Sequence, residues 1–161
     1  MGGRLLRWSL FAAALALALL AAGCGGKSAA EKKKDFLAEA NRICKHFNDL
    51  QNQVVVPSVN PLAANVTHTQ REQWGVGIKQ LGYLGTQEVK TLGKLKPPKD
   101  LEDDFQALVT TKGGAFADLL QGAEAAKRNH VSEIREPINA GRAALAKASK
   151  QARALGLKQC E

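Results

Sequence analysis

Aromatic residues are scarce in this chain: five Phe, two Trp and one Tyr among 161 residues. A core drawn from such a set has to rely on Leu and Ala, and it will be modest. Cysteine is scarcer, with three residues and no CxxC pair, which leaves a redox dithiol or a thiolate metal site without its usual spacing. The three histidines, His46, His68 and His130, form no HxxxH or similar close motif. No Ser/His/Asp order, phosphate-binding loop or dinucleotide glycine pattern occurs. The acidic pairs Asp103–Asp104 and Glu133–Glu136 read as solvated charges in first helical turns. These absences point away from an enzyme and from a cofactor. No convincing alternating apolar stretch is present either, so a sheet is not expected.

What the sequence does have is one uncharged apolar run, Leu10 to Ala22, preceded by Arg4 and Arg7. Crossing about 30 Å of hydrocarbon takes roughly 20 apolar residues, so this run is too short for a permanent span and fits the apolar region of a signal peptide. Small residues lead to Cys24, and the stretch Leu20-Ala21-Ala22-Gly23-Cys24 resembles a bacterial lipoprotein signal. That family favours a large aliphatic residue three positions before the cysteine; here Ala21 takes that place and Leu20 precedes it. The resemblance implies cleavage after Gly23, a diacylglycerol on the Cys24 thiol and acylation of the new amino terminus by a palmitate-type chain. Two or three chains satisfy the rule that stable anchoring takes more than one lipid. The expected location is the extracytoplasmic face of a bacterial cell membrane. An ordinary secretory signal with a cysteine at the cut is the alternative. Arg4 and Arg7 are not adjacent, so a twin-arginine signal is absent.

The formal charge is +8, of which Arg4 and Arg7 contribute two, leaving +6 on the mature chain. An exported basic protein meets anionic headgroups and acidic wall polymers rather than nucleic acid. Lys27, Lys32, Lys33 and Lys34 follow the anchor directly, where each would contribute on the order of 1 kcal/mol against an anionic surface, or simply solvate a tether. With Cys24 assigned to lipid, Cys44 and Cys160 remain as an even pair in an oxidising compartment and read as one disulfide. The chain-entropy model gives such a long loop roughly 4–5 kcal/mol.

The remainder divides into a tether, 24–30, and a helical domain, 31–161. Phe36, Ala40, Ile43, Phe47, Leu50 and Val54 recur at helical spacing and predict a first helix from about Glu31 to Gln53. Val55 to Val66, with Pro57 and Pro61, is a long connection. It is either a functional surface or a link across the bundle end. Its Asn65-Val66-Thr67 sequon has no bearing in a bacterial lipoprotein.

Thr67 or Thr69 should cap a second helix reaching about Lys96, with Trp74, Ile78, Leu81, Leu92 and Leu95 inward. Gly75, Gly77, Gly82, Gly85 and Gly93 weaken that helix by up to about 1 kcal/mol each, and they permit close approach of a helix or of something bound. Pro97-Pro98 stops it. Asp100 is expected to cap a third helix running to about Asn129, its stripe interrupted at Lys112-Gly113-Gly114. Val131, Ile134, Ile138, Gly141, Leu145, Ala148, Ala152 and Leu155 outline a fourth, with Pro137 delaying its start and Gly156 ending it. The expected fold is all-α, an antiparallel up-and-down four-helix bundle with one disulfide behind a lipoprotein signal peptide at 1–23. In such a bundle His46, His68 and His130 would lie toward one end, where three imidazoles are able to hold zinc or copper.

The lipobox, Asn41-Arg42-Ile43-Cys44, Leu95-Lys96-Pro97-Pro98 and the terminal Leu155-Gly156-Leu157-Lys158-Gln159-Cys160 together resemble small helical lipoproteins of the actinobacterial cell envelope. The resemblance implies a fold and a location, not an activity. Two function classes follow. One is a non-catalytic interaction or structural module, anchored to the membrane through Cys24 and meeting an envelope protein. The other is a small-ligand or metal-binding lipoprotein. Electrostatic binding to acidic wall polymers is a third reading. A cavity above about 300 Å³ favours a ligand; an exposed apolar patch of several hundred Å² favours a protein partner. Intact mass of the protein from its native membrane, with and without reductant, should show acyl mass on Cys24 and a two-proton gain on reduction. A lipid-free chain starting elsewhere would remove the anchor.

Overall fold

The computed structural model describes residues 27–161; the expected signal region and Cys24 lie outside them. Four long helices carry the described chain: α1 (Ala29–Gln51), α2 (His68–Leu92), α3 (Glu102–Lys127) and α4 (Arg135–Leu155). Three short 3₁₀ turns, Lys99–Leu101, Val131–Glu133 and Lys158–Cys160, lie before α3, before α4 and at the chain end. The described residues contain no strand. None of their helices is long and apolar enough to cross a membrane.

Local chemistry sets the boundaries. Ser28 caps α1 in a reciprocal capping box with Glu31, so the helix begins two residues earlier than periodicity suggests. Thr67 caps α2 in the same way with Gln70, rather than Thr69 with Glu72. This helix ends at Leu92, short of Lys96. Asp100 does not cap α3; it sits in the preceding 3₁₀ turn, and its carboxylate accepts from Lys33 Nζ at 2.8 Å. That hydrogen bond holds the Asp100 carboxyl below its ordinary range. Glu102, Asp103 and Asp104 nevertheless fill the first turn of α3, where the helix dipole favours them. Pro137 falls in the first turn of α4, where its missing N–H removes no helical bond, and Gly156 ends the helix at φ 79°.

α2 departs most from its expected packing. Trp74 and Leu92 are buried, but Ile78, Leu81 and Leu95 are only half-buried, and the inward surface includes Gly75, Gly82 and Gly85. A Cβ on Gly85 would stand 2.2 Å from the Phe116 ring. The glycines thus let the backbone of α2 rest directly on α3, and the space beside them is filled rather than hollow.

Two apolar clusters form the interior. The larger joins Phe36, Ala40 and Ile43 of α1 to Leu92, Phe105, Leu108, Ala148, Ala152 and Leu155, with Phe36 and Phe105 meeting edge to face at 4.9 Å. The smaller gathers Trp74, Ala125, Ala126, Ile134 and Ile138. Cys44 and Cys160 are bonded, closing a separation of 116 residues, and both are buried.

One ion pair is buried outright. Lys112 Nζ donates to Glu88 Oε1 at 2.5 Å, with the two residues 5% and 1% exposed. Burial pushes the Glu88 carboxyl above its ordinary range more strongly than the Lys112 charge draws it down. A pair of this kind is costly to break and cheap to replace. Lys112→Met or Glu88→Leu alone should lower unfolding free energy by about 3–5 kcal/mol. The double variant should recover most of that loss, as urea unfolding followed by circular dichroism would show; additive losses would refute a coupled pair.

Candidate functional site

The connection between Gln51 and His68 is folded against the helices as a structured cap. Val56, Val59 and Leu62 turn inward onto the cluster around Trp74. Val59 N–H donates to Pro57 O at 2.8 Å, and Ala63 N–H to Asn60 O at 3.0 Å. At Gly77 the loop lies on bare backbone: a Cβ there would meet Val55 O at 2.9 Å and Val56 Cγ2 at 3.0 Å.

Arg71 holds this arrangement in place. Its side chain is 8% exposed. Nε donates to Pro61 O at 2.9 Å, one terminal nitrogen to Ala63 O at 3.1 Å and the other to Asn129 Oδ1 at 3.0 Å. Asn129 follows α3 with φ 59°, a left-handed conformation that asparagine tolerates better than most residues. One guanidinium therefore ties the loop to the first turns of α2 and to the end of α3.

With its inner residues committed, the loop presents others outward. Val55 is 85% exposed. It borders a groove of about 390 Å³ with Pro57, Val76 and Gly77. Val76 and Tyr83 are half exposed and two helical turns apart, so they share one face of α2. Lys79, on the turn between them, pairs with Glu124 and lies 5.5 Å from the Tyr83 ring centroid. Val55 and Val76 thus meet at a groove whose other walls include Glu72, Gln73 and Gln80, and Tyr83 lies further along the same side of α2. Single exposed apolar residues are ordinary; several on one side of a molecule are less so.

At the other end, the start of α1 and the segment Leu95–Asp100 enclose an open groove of about 930 Å³ with an apolar floor that includes Phe36, Leu95 and Pro97. Lys27 pairs with Asp35 and Lys33 with Asp100. Two of the four lysines near the start of α1 are therefore paired within the protein.

Of the residues singled out from sequence, Cys44 and Cys160 meet in the disulfide, while Cys24 lies outside the described residues. The histidines go to separate tasks. His46 stacks edge-on beside Phe47, His68 Nε2 approaches Lys127 O at 3.4 Å, and His130 Nδ1 approaches Glu133 at 3.4 Å. Among the described residues no three His, Cys, Asp or Glu side chains gather to hold a metal. Arg71 escaped the sequence reading, since an arginine in the first turn of a helix looks like surface. The long loop before it was the signal that something must hold it.

Comparison with known proteins adds no relative: no family model, curated protein or solved structure matches the chain. Replacing Arg71 by Met keeps much of its apolar stem and removes all three hydrogen bonds, leaving two loop carbonyls and Asn129 without this donor. Stability should fall by about 2–4 kcal/mol, and amide exchange in residues 55–66 should accelerate well beyond that in α3. Uniform acceleration would mean that Arg71 serves the whole fold and not the loop.

Proposed function

We propose that this chain is a membrane-anchored extracytoplasmic lipoprotein of a bacterial envelope, serving as a non-catalytic interaction or structural module. In this reading lipid on Cys24 holds the protein at the membrane, and the four helices form an up-and-down antiparallel bundle. The register of contacts supports that topology. Gly75 packs near Ala126 and Gly85 near Phe116, while Gly122 packs near Ile138 and Gly141 near Ala115, so rising numbers on one helix meet falling numbers on the next. α1 has 23 residues. At 1.5 Å each it spans roughly 35 Å and carries the loop that far from the tether end.

The observation that carries the interaction reading is the set of exposed apolar side chains Val55, Val76 and Tyr83 on one side of the molecule. Two stand on a helix and Val55 on a loop braced by a buried arginine, so a partner meets a preformed surface and little ordering entropy opposes docking. Gly75, Gly82 and Gly85 are closed over by Lys127, Leu120 and Phe116 of α3, so helix packing accounts for them without a ligand.

A photo-crosslinking residue placed at Val55 or Val76 in intact cells should capture the same envelope partner, and one placed at Lys147 on α4 should not. Capture from position 76 should drop at least tenfold when Val55→Asp is added, with the unfolding midpoint unchanged. Absence of a common partner, or capture indifferent to the added charge, would sink this reading.

A further inference from the structure

The loop has a second face. Between it and α4 lies a cavity of about 460 Å³ whose walls include Ser58, Asn60, Trp74, Arg135, Asn139 and Arg142. Arg135, Asn139 and Arg142 are spaced four and three apart, which puts them on one stripe of α4. The arginines stand about 10 Å apart along the axis at 1.5 Å per residue, a span that two long side chains are able to close from either end. No Asp or Glu lines the cavity. Among the described residues no carboxylate lies within ion-pair distance of Arg135 or Arg142.

The hydrogen-bonding inventory leans toward donors. Asn60 spends its Oδ1 on the Leu62 N–H at 3.1 Å, which leaves its amide NH₂ as the free end. Two guanidinium forks, two amide groups and the Ser58 hydroxyl make a donor-rich, cationic pocket. Guanidinium forks match the oxygens of phosphate two at a time, which a neutral polar ligand does not exploit. The volume falls in the range of small-molecule sites and leaves room for more than a bare anion. Trp74 and Ile138, 4% and 6% exposed, show the cavity only a narrow apolar edge. Arg71, through Pro61 O and Ala63 O, fixes the loop side of the cavity before any ligand arrives.

We propose that this cavity binds an organic phosphate ester, its phosphoryl group held between Arg135 and Arg142 and its polyol hydroxyls turned to Ser58, Asn60 and Asn139. The site is independent of the anchor and of the surface around Val55, so failure of either leaves it standing. The same chemistry is presented by a soluble sugar phosphate and by a polyol-phosphate wall polymer.

Titration calorimetry of the full chain in detergent would use glucose 6-phosphate, glucose, inorganic phosphate and a glycerol-phosphate polymer. Glucose 6-phosphate or the polymer should bind saturably and at least tenfold more tightly than inorganic phosphate, and glucose should not bind. Whichever ester binds more tightly per phosphate identifies the source. Arg135→Gln with Arg142→Gln should weaken the ester at least tenfold without moving the unfolding midpoint. Arg142→Lys, which keeps charge and loses the fork, should weaken it several-fold and guards against a double variant that misfolds. Absence of saturable binding by both esters, affinity unchanged in these variants, or equal affinity for inorganic phosphate would overturn the assignment.

Discussion

The buried bond between Cys44 and Cys160 is the constraint on which the placement of α1 depends. α2, α3 and α4 interlock through backbone approach at Gly85, Gly122 and Gly141, where a methyl group would already collide with a neighbouring side chain. α1 has no such seam. Its Phe36, Ala40 and Ile43 add apolar contact, and beside the disulfide its Asn41 and Asn48 grip the chain end from both sides. Asn41 Oδ1 accepts from Gln159 N–H at 2.9 Å, and Asn48 Nδ2 donates to Gln159 O at 2.6 Å. The last residues of the chain are therefore a built part of the core, with Leu157 fully buried among the same cluster. If α1 is the helix that leads to a lipid anchor, any pull on that anchor passes through this joint. A covalent link there resists a load that a few apolar contacts on one helix face would not.

Periodicity made the helices legible. Steps of three and four placed Phe36, Ala40 and Ile43 on the buried side of α1, and Ile138, Gly141, Ala148, Ala152 and Leu155 on that of α4. The even pair of cysteines was enough to anticipate the disulfide. The helix starts were harder because neighbouring candidates compete: Thr67 and Thr69 both offer a hydroxyl, and only the folded chain shows which finds its N3 partner. Asp100 looked like a cap for the same reason, until Lys33, distant in sequence, offered a better partner. α2 was half legible: its glycines were read as allowing close approach, which Phe116 over Gly85 makes, but hydropathy put Ile78 and Leu81 inward, where they are only half-buried.

The charged interior was the least legible. Lys112 stood out only as a break in an apolar stripe, and nothing in the sequence joined it to Glu88, 24 residues away. Arg71 was marked only indirectly, by the long loop before it. A charge is buried only when donors and acceptors converge on it from several segments, and that convergence is a property of the tertiary fold. The candidate sites share this dependence. Val55 and Val76 become one surface only when the loop lies down on Gly77, and Arg135 faces Asn60 only when that loop is held.

A long connection is ordinarily where a chain loses order, because its backbone groups exchange freely with water and few side chains pin it. Here the balance is reversed by two devices of different kinds. Three apolar residues anchor the loop from beneath by burial, which is strong but non-directional. Two hydrogen bonds from Arg71, to Pro61 O and Ala63 O, then choose one backbone conformation among those that burial alone would allow, and a third ties the guanidinium to Asn129. Burial without the arginine would leave a greasy, shifting cap, and the arginine without burial would be a solvated charge with little hold on two carbonyls. Together they give the loop one shape with two candidate faces, Val55 beside Val76 of α2 and a cavity lined by Arg135 and Arg142 of α4. Both proposed faces rest on one guanidinium, so a disturbance at Arg71 reaches them together, whereas a change at Val55 or at Arg142 stays on its own side.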